Sequence, residues 1–242
     1  DRLPGPLSEK QVAAMAVEED HLLDAVYAAF EDRFRGSRED IKDRQKIYLP
    51  YIEQAGAGTT TTPVLDLGCG RGEWLELLEE TGKNAVGVDI NHLFVTECRD
   101  RGLMVESRDL LVHLKDLAPD SMGAVSAFHL IEHLPLTTLV RMMDETMRVL
   151  KPGGIAIFET PNPENLIVGA CSFYTDPTHK NPLPPDTAVY LMETRGFCDC
   201  EIIRLHPFEN RPGDMVDTMP ASLVHLLYGE QDYAVIGRKA LV

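Results

Sequence analysis

A glycine-rich stretch of the sequence, with a carboxylate on either side, has the pattern expected of a nucleoside-binding site. Gly68, Gly70 and Gly72 alternate directly after a short apolar run that contains Asp66. Glycines let the backbone turn sharply and approach a ligand closely. Asp89 ends the next apolar run about twenty residues later, the spacing at which a carboxylate binds ribose hydroxyls. The glycines do not have the spacing of the NAD fingerprint, so the pattern favours a different nucleoside cofactor.

A second group of reactive side chains follows the fourth apolar run, where residues 128–135 read Phe-His-Leu-Ile-Glu-His-Leu-Pro. On a helical turn His129 and His133 would share one face with Glu132 beside them, so the three could hold a divalent metal. The same His-x-x-Glu-His spacing occurs in a class of zinc proteases, but that site needs a long helix, which Pro135 interrupts. In a second alternative no metal binds, His129 lines the cofactor pocket, and Glu132 and His133 pair with each other.

The elements that must position these residues alternate in type. Apolar runs typical of strands alternate with helical patterns, which predicts an α/β fold with a parallel sheet and helices on both faces. The strands are expected near residues 63–67, 84–89, 103–107, 123–128, 154–160, 197–206 and 231–238. A helix that carries Glu73 and Trp74 should begin near Gly72. Most of the reactive side chains then lie at the carboxyl ends of strands, where open α/β sheets bind ligands.

The first 62 residues are predicted to form a helical appendage to a domain that spans residues 63–242. Ser8 with Gln11 has the pattern of a capping box, and apolar residues recur at helical spacing from about 8 to 35. Ser37 with Asp40 indicates the start of a second helix. The Gly- and Thr-rich residues 55–62 indicate a flexible linker to the larger domain.

Composition narrows the function further. A chain of 242 residues with 44% apolar content can bury one α/β core. The net charge of -16 lacks a basic block, so a long polyanion such as RNA would be repelled and a neutral acceptor is easier to bind. Five cysteines without a Cys-x-x-Cys pair indicate reduced thiols. We find no signal-like start and no membrane-spanning apolar run, so the expected location is cytoplasmic.

The glycine turn resembles motif I of the class I S-adenosylmethionine (SAM) dependent methyltransferases, which reads Asp or Glu, x, Gly, x, Gly, x, Gly. The Pro-Gly-Gly stretch at 152–154, between a helix and a strand, and residues 193–197 before the sixth strand are further matches. The resemblance covers roughly residues 63–206. It implies a Rossmann-like fold with a seven-stranded, mostly parallel sheet, and SAM as the cofactor.

The same resemblance assigns residues to the cofactor site. Asp89 would bind the ribose, Asp109 after the third strand would contact the adenine amine, and Asp66 would lie near the methionine moiety. The complete set of expected cofactor-binding residues is Asp66, Gly68, Gly70, Asp89, Asp109 and His129.

Three later features look like the metal-dependent 2′-O-methyltransferases of small-RNA 3′ ends: the pair Glu132 and His133, the Thr-Pro-Asn stretch at 160–162, and His179. Ubiquinone-pathway O-methyltransferases are similar around the fourth strand. The resemblance implies metal ligation by Glu132, His133 and His179, with His129 in place of the first glutamate of the family's Glu-x-x-Glu-His set. Three imidazoles and one carboxylate suit Mn²⁺, Fe²⁺, Co²⁺ or Zn²⁺ better than Mg²⁺.

The expected catalytic residues are His129, Glu132 and His179. A divalent ion would lower the pKa of an acceptor hydroxyl and fix its position. His179 or His129 could then accept the proton, because imidazole titrates near neutral pH.

Residues 30–38, 162–165 and 176–182 resemble segments of bacterial methyltransferases associated with polysaccharide or O-antigen assembly. This implies a glycan substrate methylated on a sugar hydroxyl, a reaction that can end chain growth. RNA 3′-end methylation and small-molecule O-methylation are alternatives. A different class of function is a non-catalytic SAM-binding scaffold that recruits a glycosyltransferase, although a scaffold would not need the aspartates and the histidine cluster.

Overall fold

The computed structural model describes residues 23–208 and 218–241, and its centre is a seven-stranded sheet in the order β3-β2-β1-β4-β5-β7-β6. Strands β1 to β5 pair in parallel, whereas β7 lies antiparallel between β5 and β6. The predicted mostly parallel, Rossmann-like architecture is therefore confirmed. The strands are β1 Val64–Leu67, β2 Ala85–Asp89, β3 Val105–Ser107, β4 Met122–Phe128, β5 Leu150–Pro161, β6 Cys198–Pro207 and β7 Glu230–Arg238.

Helices cover both faces of the sheet. In the described ranges the α-helices are α1 Asp24–Phe34, α2 Arg38–Gln45, α3 Leu49–Gln54, α4 Glu73–Glu80, α5 His92–Asp100, α6 Leu110–Asp116, α7 Leu136–Val149, α8 Leu166–Ala170, α9 Pro185–Thr194 and α10 Ala221–Tyr228. Short 3₁₀ turns cover Lys46–Tyr48, Ile131–His133 and Ser172–Thr175. The predicted capping box at Ser8 and Gln11 lies outside the described residues. None of the helices within residues 23–208 and 218–241 is long and apolar enough to cross a lipid bilayer.

The central strands are apolar because both of their faces are buried. All seven residues of β4 are buried, and successive side chains point to opposite faces, as the pleat requires. Val125 belongs to the core beneath α7 and α9, whereas Phe128 packs with Trp74 of α4 on the other face. Tyr48 and Ile52, from the predicted appendage, are completely buried in that second core. The expected domain boundary at residue 62 stays a prediction, but α3 and the preceding turn pack directly on the sheet.

One edge of the sheet collects the residues of interest. The carboxyl ends of β1, β2, β4 and β5 meet there because these strands are parallel. Since β7 runs antiparallel to both β5 and β6, β6 ends at the same edge and β7 begins there. Residues near position 206 and near position 232 therefore join those that follow β1, β2, β4 and β5.

Candidate active site

The glycine turn after β1 has a backbone that only glycine adopts easily. Gly68, Gly70 and Gly72 have φ of 64°, 51° and 82°, in the left-handed region that costs other residues free energy. A Cβ at Gly68 would lie 2.9 Å from Leu130 Cδ1, whereas a Cβ at Gly70 would meet no atom within 4 Å. The turn therefore packs tightly at its first glycine and leaves open space at its second.

Asp89 ties this turn to the end of β2. Its Oδ2 accepts a hydrogen bond from the Gly70 amide at 2.8 Å, and its Oδ1 accepts one from the Asn91 amide at 2.8 Å. Burial raises the pKa of Asp89, although the backbone donors partly oppose the shift. A cavity of about 450 Å³ opens beside the turn and is lined by Gly68, Gly70, Asp89, Asp109 and His129, among others. The structure thus brings together five of the six expected cofactor residues.

Two of the predicted acidic residues have structural partners. Asp109 caps α6, because its Oδ1 accepts hydrogen bonds from the amides of Leu111 and Val112 at 2.9 and 3.0 Å, and it still lines the cavity. Asp66 does not line it. Its Oδ1 accepts a hydrogen bond from Ser126 Oγ at 2.7 Å inside the sheet, and burial raises its pKa to about 7. The predicted position of Asp66 near the methionine moiety stays a prediction.

His129 departs from the predicted helical turn. Its φ is 52°, and its amide donates to the Glu159 carbonyl at 2.9 Å. Only Ile131–His133 form a 3₁₀ turn, so His129 and His133 do not share the face of an α-helix. A left-handed residue other than glycine is uncommon, and such strain is often found at functional sites.

Glu132 is completely buried and has one oxygen without a hydrogen bond. Its Oε2 accepts from Thr160 Oγ1 at 2.9 Å, whereas its Oε1 has no hydrogen-bond partner among the described residues. This Oε1 lies 3.8 Å from His179 Nε2. A buried carboxylate oxygen left without a partner costs free energy, and a bound cation is one way to compensate for it.

Hydrogen bonds to surrounding residues orient the imidazole rings of His133 and His179. His133 Nδ1 lies 2.9 Å from Thr178 Oγ1, which donates its own proton to Asp176 at 2.6 Å, so Nδ1 must be the donor to Thr178. His179 Nδ1 donates to the Phe173 carbonyl at 2.6 Å. In the neutral form of each ring the proton is then on Nδ1, which leaves Nε2 available to a metal, and the Tyr27 hydroxyl lies 3.4 Å from His133 Nε2. Ligand atoms of Glu132, His133 and His179 lie within 4.8 Å of one another.

His129 also lies beside carboxylates outside the predicted set. Its Nε2 lies 3.3 Å from Glu159 Oε1 and 4.0 Å from Asp232 Oδ1, whereas its Nδ1 is 3.5 Å from Glu132 Oε1. Burial alone would lower the pKa of His129, but Glu132 and Glu159 raise it well above its ordinary value. His129 thus lies between the group of Glu132, His133 and His179 and two further carboxylates, and the four-ligand set stays a prediction.

The sequence interpretation missed four residues around His129. Tyr48 donates a hydrogen bond to Glu159 Oε2, and His206 Nδ1 lies 2.9 Å from Asp232 Oδ2. Glu159 was detectable as an acidic residue near the end of an apolar strand. Asp232 was not, because it comes near the start of a strand and reaches this edge only through the antiparallel direction of β7.

A second cavity of about 350 Å³ lies on the other side of His129 from the glycine turn. His129 and His133 border both cavities, whereas Glu159, His179, His206 and Asp232 line only the second. Its apolar wall is aromatic and comes mainly from α1, with Tyr27, Phe30, Phe34 and Phe128. The site thus has two compartments that meet at the histidines.

Comparison with known proteins identifies related chains. Residues 65–158 match the family model described as a methyltransferase domain. The solved structure of a SAM-dependent methyltransferase from Archaeoglobus fulgidus is 33% identical, with a TM-score of 0.76, and the match covers 88% of this chain and 99% of that one.

Two curated relatives match over shorter segments. A probable SAM-dependent methyltransferase of Mycolicibacterium smegmatis is 31% identical over 134 residues, which are 55% of this chain and 51% of the relative. A ubiquinone biosynthesis O-methyltransferase of Methylococcus capsulatus is 31% identical over 114 residues, 45% of this chain and 47% of the relative. The matches thus span about half the length of these curated relatives.

Proposed function

Because the chain belongs to the class I SAM-dependent methyltransferases, we propose that it methylates an oxygen of a vicinal diol with the help of a divalent cation. The acceptor we propose is a sugar unit of a bacterial glycan. The cofactor occupies the cavity at the glycine turn, and the acceptor enters the cavity beyond His129.

The observation that carries this proposal is the unpartnered oxygen of Glu132. A completely buried carboxylate with one free oxygen, beside two imidazoles whose Nδ1 atoms are hydrogen-bonded to other residues, has the donor set of a transition-metal site. The residues present therefore fit a divalent ion. When bound, such an ion acts as a Lewis acid that lowers the pKa of a hydroxyl group it holds.

The chain's own residues divide the remaining work. The acceptor oxygen attacks the electrophilic methyl carbon of SAM in line, the carbon–sulfur bond breaks, S-adenosylhomocysteine leaves, and the hydroxyl proton passes to solvent. Asp89 and the Gly70 amide hold each other at 2.8 Å, which keeps a carboxylate beside the open space at Gly70 before any ligand arrives. His129 lines both cavities and lies 3.3 Å from Glu159 Oε1 through its Nε2, so it is placed to orient an acceptor oxygen.

The walls of the acceptor cavity support a neutral, hydroxylated acceptor. Glu159, Asp232 and His206 offer hydrogen-bonding groups, and four carboxylates line the cavity against two arginines. A sugar meets both conditions, because its hydroxyls bind carboxylates and its faces stack on aromatic rings. A phosphate-rich acceptor such as RNA would meet repulsion there.

One observation favours a second candidate, an aromatic small molecule that carries two adjacent hydroxyls. Four aromatic rings line the acceptor cavity, and several relatives are named ubiquinone biosynthesis O-methyltransferase. The same diol chemistry would serve both acceptors, so only the ring that carries the hydroxyls differs.

An acceptor panel tests the proposal. The purified protein with SAM would be given oligosaccharides with terminal vicinal diols, the matching deoxy sugars, catechols and RNA oligonucleotides, and the demethylated cofactor and methylated product would be measured. We expect transfer to the diol sugars, loss with the deoxy sugars, loss after chelation and recovery with Mn²⁺.

Matched variants give the controls. Glu132→Gln should abolish transfer, whereas His113→Ala, which removes a histidine paired with Glu106 outside both cavities, should not change it. Transfer that survives both complete chelation and Glu132→Gln would show that no metal assists. A preference for catechols would show that the acceptor is an aromatic diol and not a glycan.

A further inference from the structure

We propose that the chain binds a second divalent cation between His129, Glu159 and Asp232, next to the ion proposed at Glu132, His133 and His179. One imidazole and two carboxylates form a mixed nitrogen and oxygen donor set, which suits Mn²⁺, Fe²⁺, Co²⁺ or Zn²⁺. The ligand atoms of the three residues lie within 4.8 Å of one another.

The separations inside this group match coordination better than direct hydrogen bonding. His129 Nε2 is 3.3 Å from Glu159 Oε1 and 4.0 Å from Asp232 Oδ1. Two ligand atoms that each lie about 2.1 Å from one ion are about 3.0–3.4 Å apart at adjacent positions and about 4.2 Å apart at opposite ones. Hydrogen bonds between an imidazolium and a carboxylate are shorter, at about 2.7–2.9 Å.

The outward-facing atoms of the same carboxylates, by contrast, are hydrogen-bonded. Glu159 Oε2 accepts from Tyr48, and Asp232 Oδ2 lies 2.9 Å from His206 Nδ1. Glu159 Oε1 and Asp232 Oδ1 are thereby left facing His129. Metal-binding carboxylates are typically held in this way by partners on their other oxygen.

Charge supports two ions instead of one. Glu132, Glu159, Asp176 and Asp232 bring four carboxylates to the centre, and the first three are buried. Arg35 lines both cavities but is paired with Glu31 at 3.0 Å. Two divalent cations would balance the four carboxylates and leave the imidazoles neutral.

Two buried oxygens near this centre lack a hydrogen-bond partner within the ranges that the structure describes, and the first of them would be bound by the ion proposed at Glu132, His133 and His179. Glu132 Oε1 has no hydrogen-bond partner in the described part of the chain and lies 3.5 Å from His129 Nδ1. Gln45 is 5% exposed and lines the acceptor cavity, yet its Oε1 also has no partner there. A hydrated cation would supply hydrogen-bond donors in this cavity.

The competing explanation is that no second ion binds and that His129 is an imidazolium held between Glu132 and Glu159. The two explanations predict different numbers of bound ions per chain. The metal-free protein would be titrated with MnCl₂, with bound ions counted by calorimetry and free Mn²⁺ by electron paramagnetic resonance.

We expect two Mn²⁺ per chain for the wild type and one for Asp232→Asn and for Glu159→Gln. Glu164→Gln is the matched control, because Glu164 pairs with Arg204 at the surface, and it should keep two. Adjacent Mn²⁺ ions should also show spin coupling in the wild type that is lost in Asp232→Asn. Thermal unfolding confirms that each variant is folded before its ions are counted.

One Mn²⁺ per chain in the wild type, unchanged in Asp232→Asn and lost in Glu132→Gln, would overturn the second site and leave the first intact. Two ions that both persist in folded Asp232→Asn and Glu159→Gln would also overturn it. The proposed methylation is tested separately. It is wrong if protein that has bound its ions methylates no diol acceptor.

Discussion

The two compartments of the site are built in different ways. The cofactor side is built around a backbone feature, the left-handed glycine turn whose Gly70 amide donates to Asp89. The acceptor side is built from side chains of α1, α2 and the sheet edge, together with the loops that follow β4 and α8. A backbone site accepts one ligand shape and varies little, whereas a site made of side chains can change its acceptor by substitution.

The largest expected effect separates the two sides by function. Asp89→Ala should weaken SAM binding roughly 100-fold or more, because charge-assisted hydrogen bonds to the cofactor and to the turn are lost together. His179→Ala should leave SAM affinity within about twofold but remove most of the turnover. Calorimetry with SAM and product release measure the two quantities, with the exposed Asp100→Ala as control. Equal loss of SAM affinity in both variants would contradict the division.

Alanine substitutions at two glycines of the same turn should have different effects, one on the stability of the fold and the other on SAM binding. A Cβ at Gly72 would lie 2.7 Å from Cys98 Sγ and 2.8 Å from Leu103 Cδ1, so Gly72→Ala should lower the free energy of unfolding by about 2–4 kcal/mol through overpacking and the unfavourable φ. Gly70→Ala should lower the free energy of unfolding by only about 1 kcal/mol, but it should weaken SAM binding. Denaturant unfolding measures the first effect and calorimetry the second. Gly102→Ala, at φ 87° with open space, controls for the φ alone.

Metal removal should affect the acceptor side alone. At an Mn²⁺ concentration about 100 times Kd, binding should stabilise the protein by about 2.7 kcal/mol per site, or roughly 5–10 °C in Tm. EDTA should reverse the increase, and SAM affinity should change little. Differential scanning calorimetry checks the shift. An equal shift in Glu132→Gln would place the ion elsewhere.

A smaller effect per pH unit is expected at Asp66, which is buried in β1. Its pKa is about 7 in the folded protein and near 3.9 when unfolded, so between these values only the folded state keeps the proton. Stability must then fall as pH rises from about 4 to 7, by at most about 1.4 kcal/mol per pH unit, and level off above 7. Asp66→Asn should flatten this slope in urea unfolding measured across that range. An unchanged slope would show that other groups cause it.

The cofactor side was largely predictable from sequence because its signals are local. The alternate glycines, Asp89 and the strand pattern all lie within about 25 residues, and each has a direct backbone reason. The strand positions and the sheet class followed from periodicity for the same reason.

The acceptor side was predicted only in part. His133, Glu132 and His179 do come together, but the backbone of His129 could not be predicted, because sequence does not signal a left-handed conformation at a histidine. The hydrogen bond of Asp66 to Ser126 could not be predicted, because Ser126 lies on the neighbouring strand. The glycan acceptor rests on segment resemblance and stays a prediction.

The position of β7 between β5 and β6 has a consequence for biosynthesis. The glycine turn, Asp89 and most residues that line the cofactor cavity come before residue 140, and its last lining residue is Lys180, whereas Asp232 leaves the ribosome about fifty residues later still. On a growing chain the cofactor compartment can therefore assemble first, while the acceptor compartment waits for β7 to insert into the sheet. A nascent chain is in this way unable to complete its acceptor site until the sheet itself is complete.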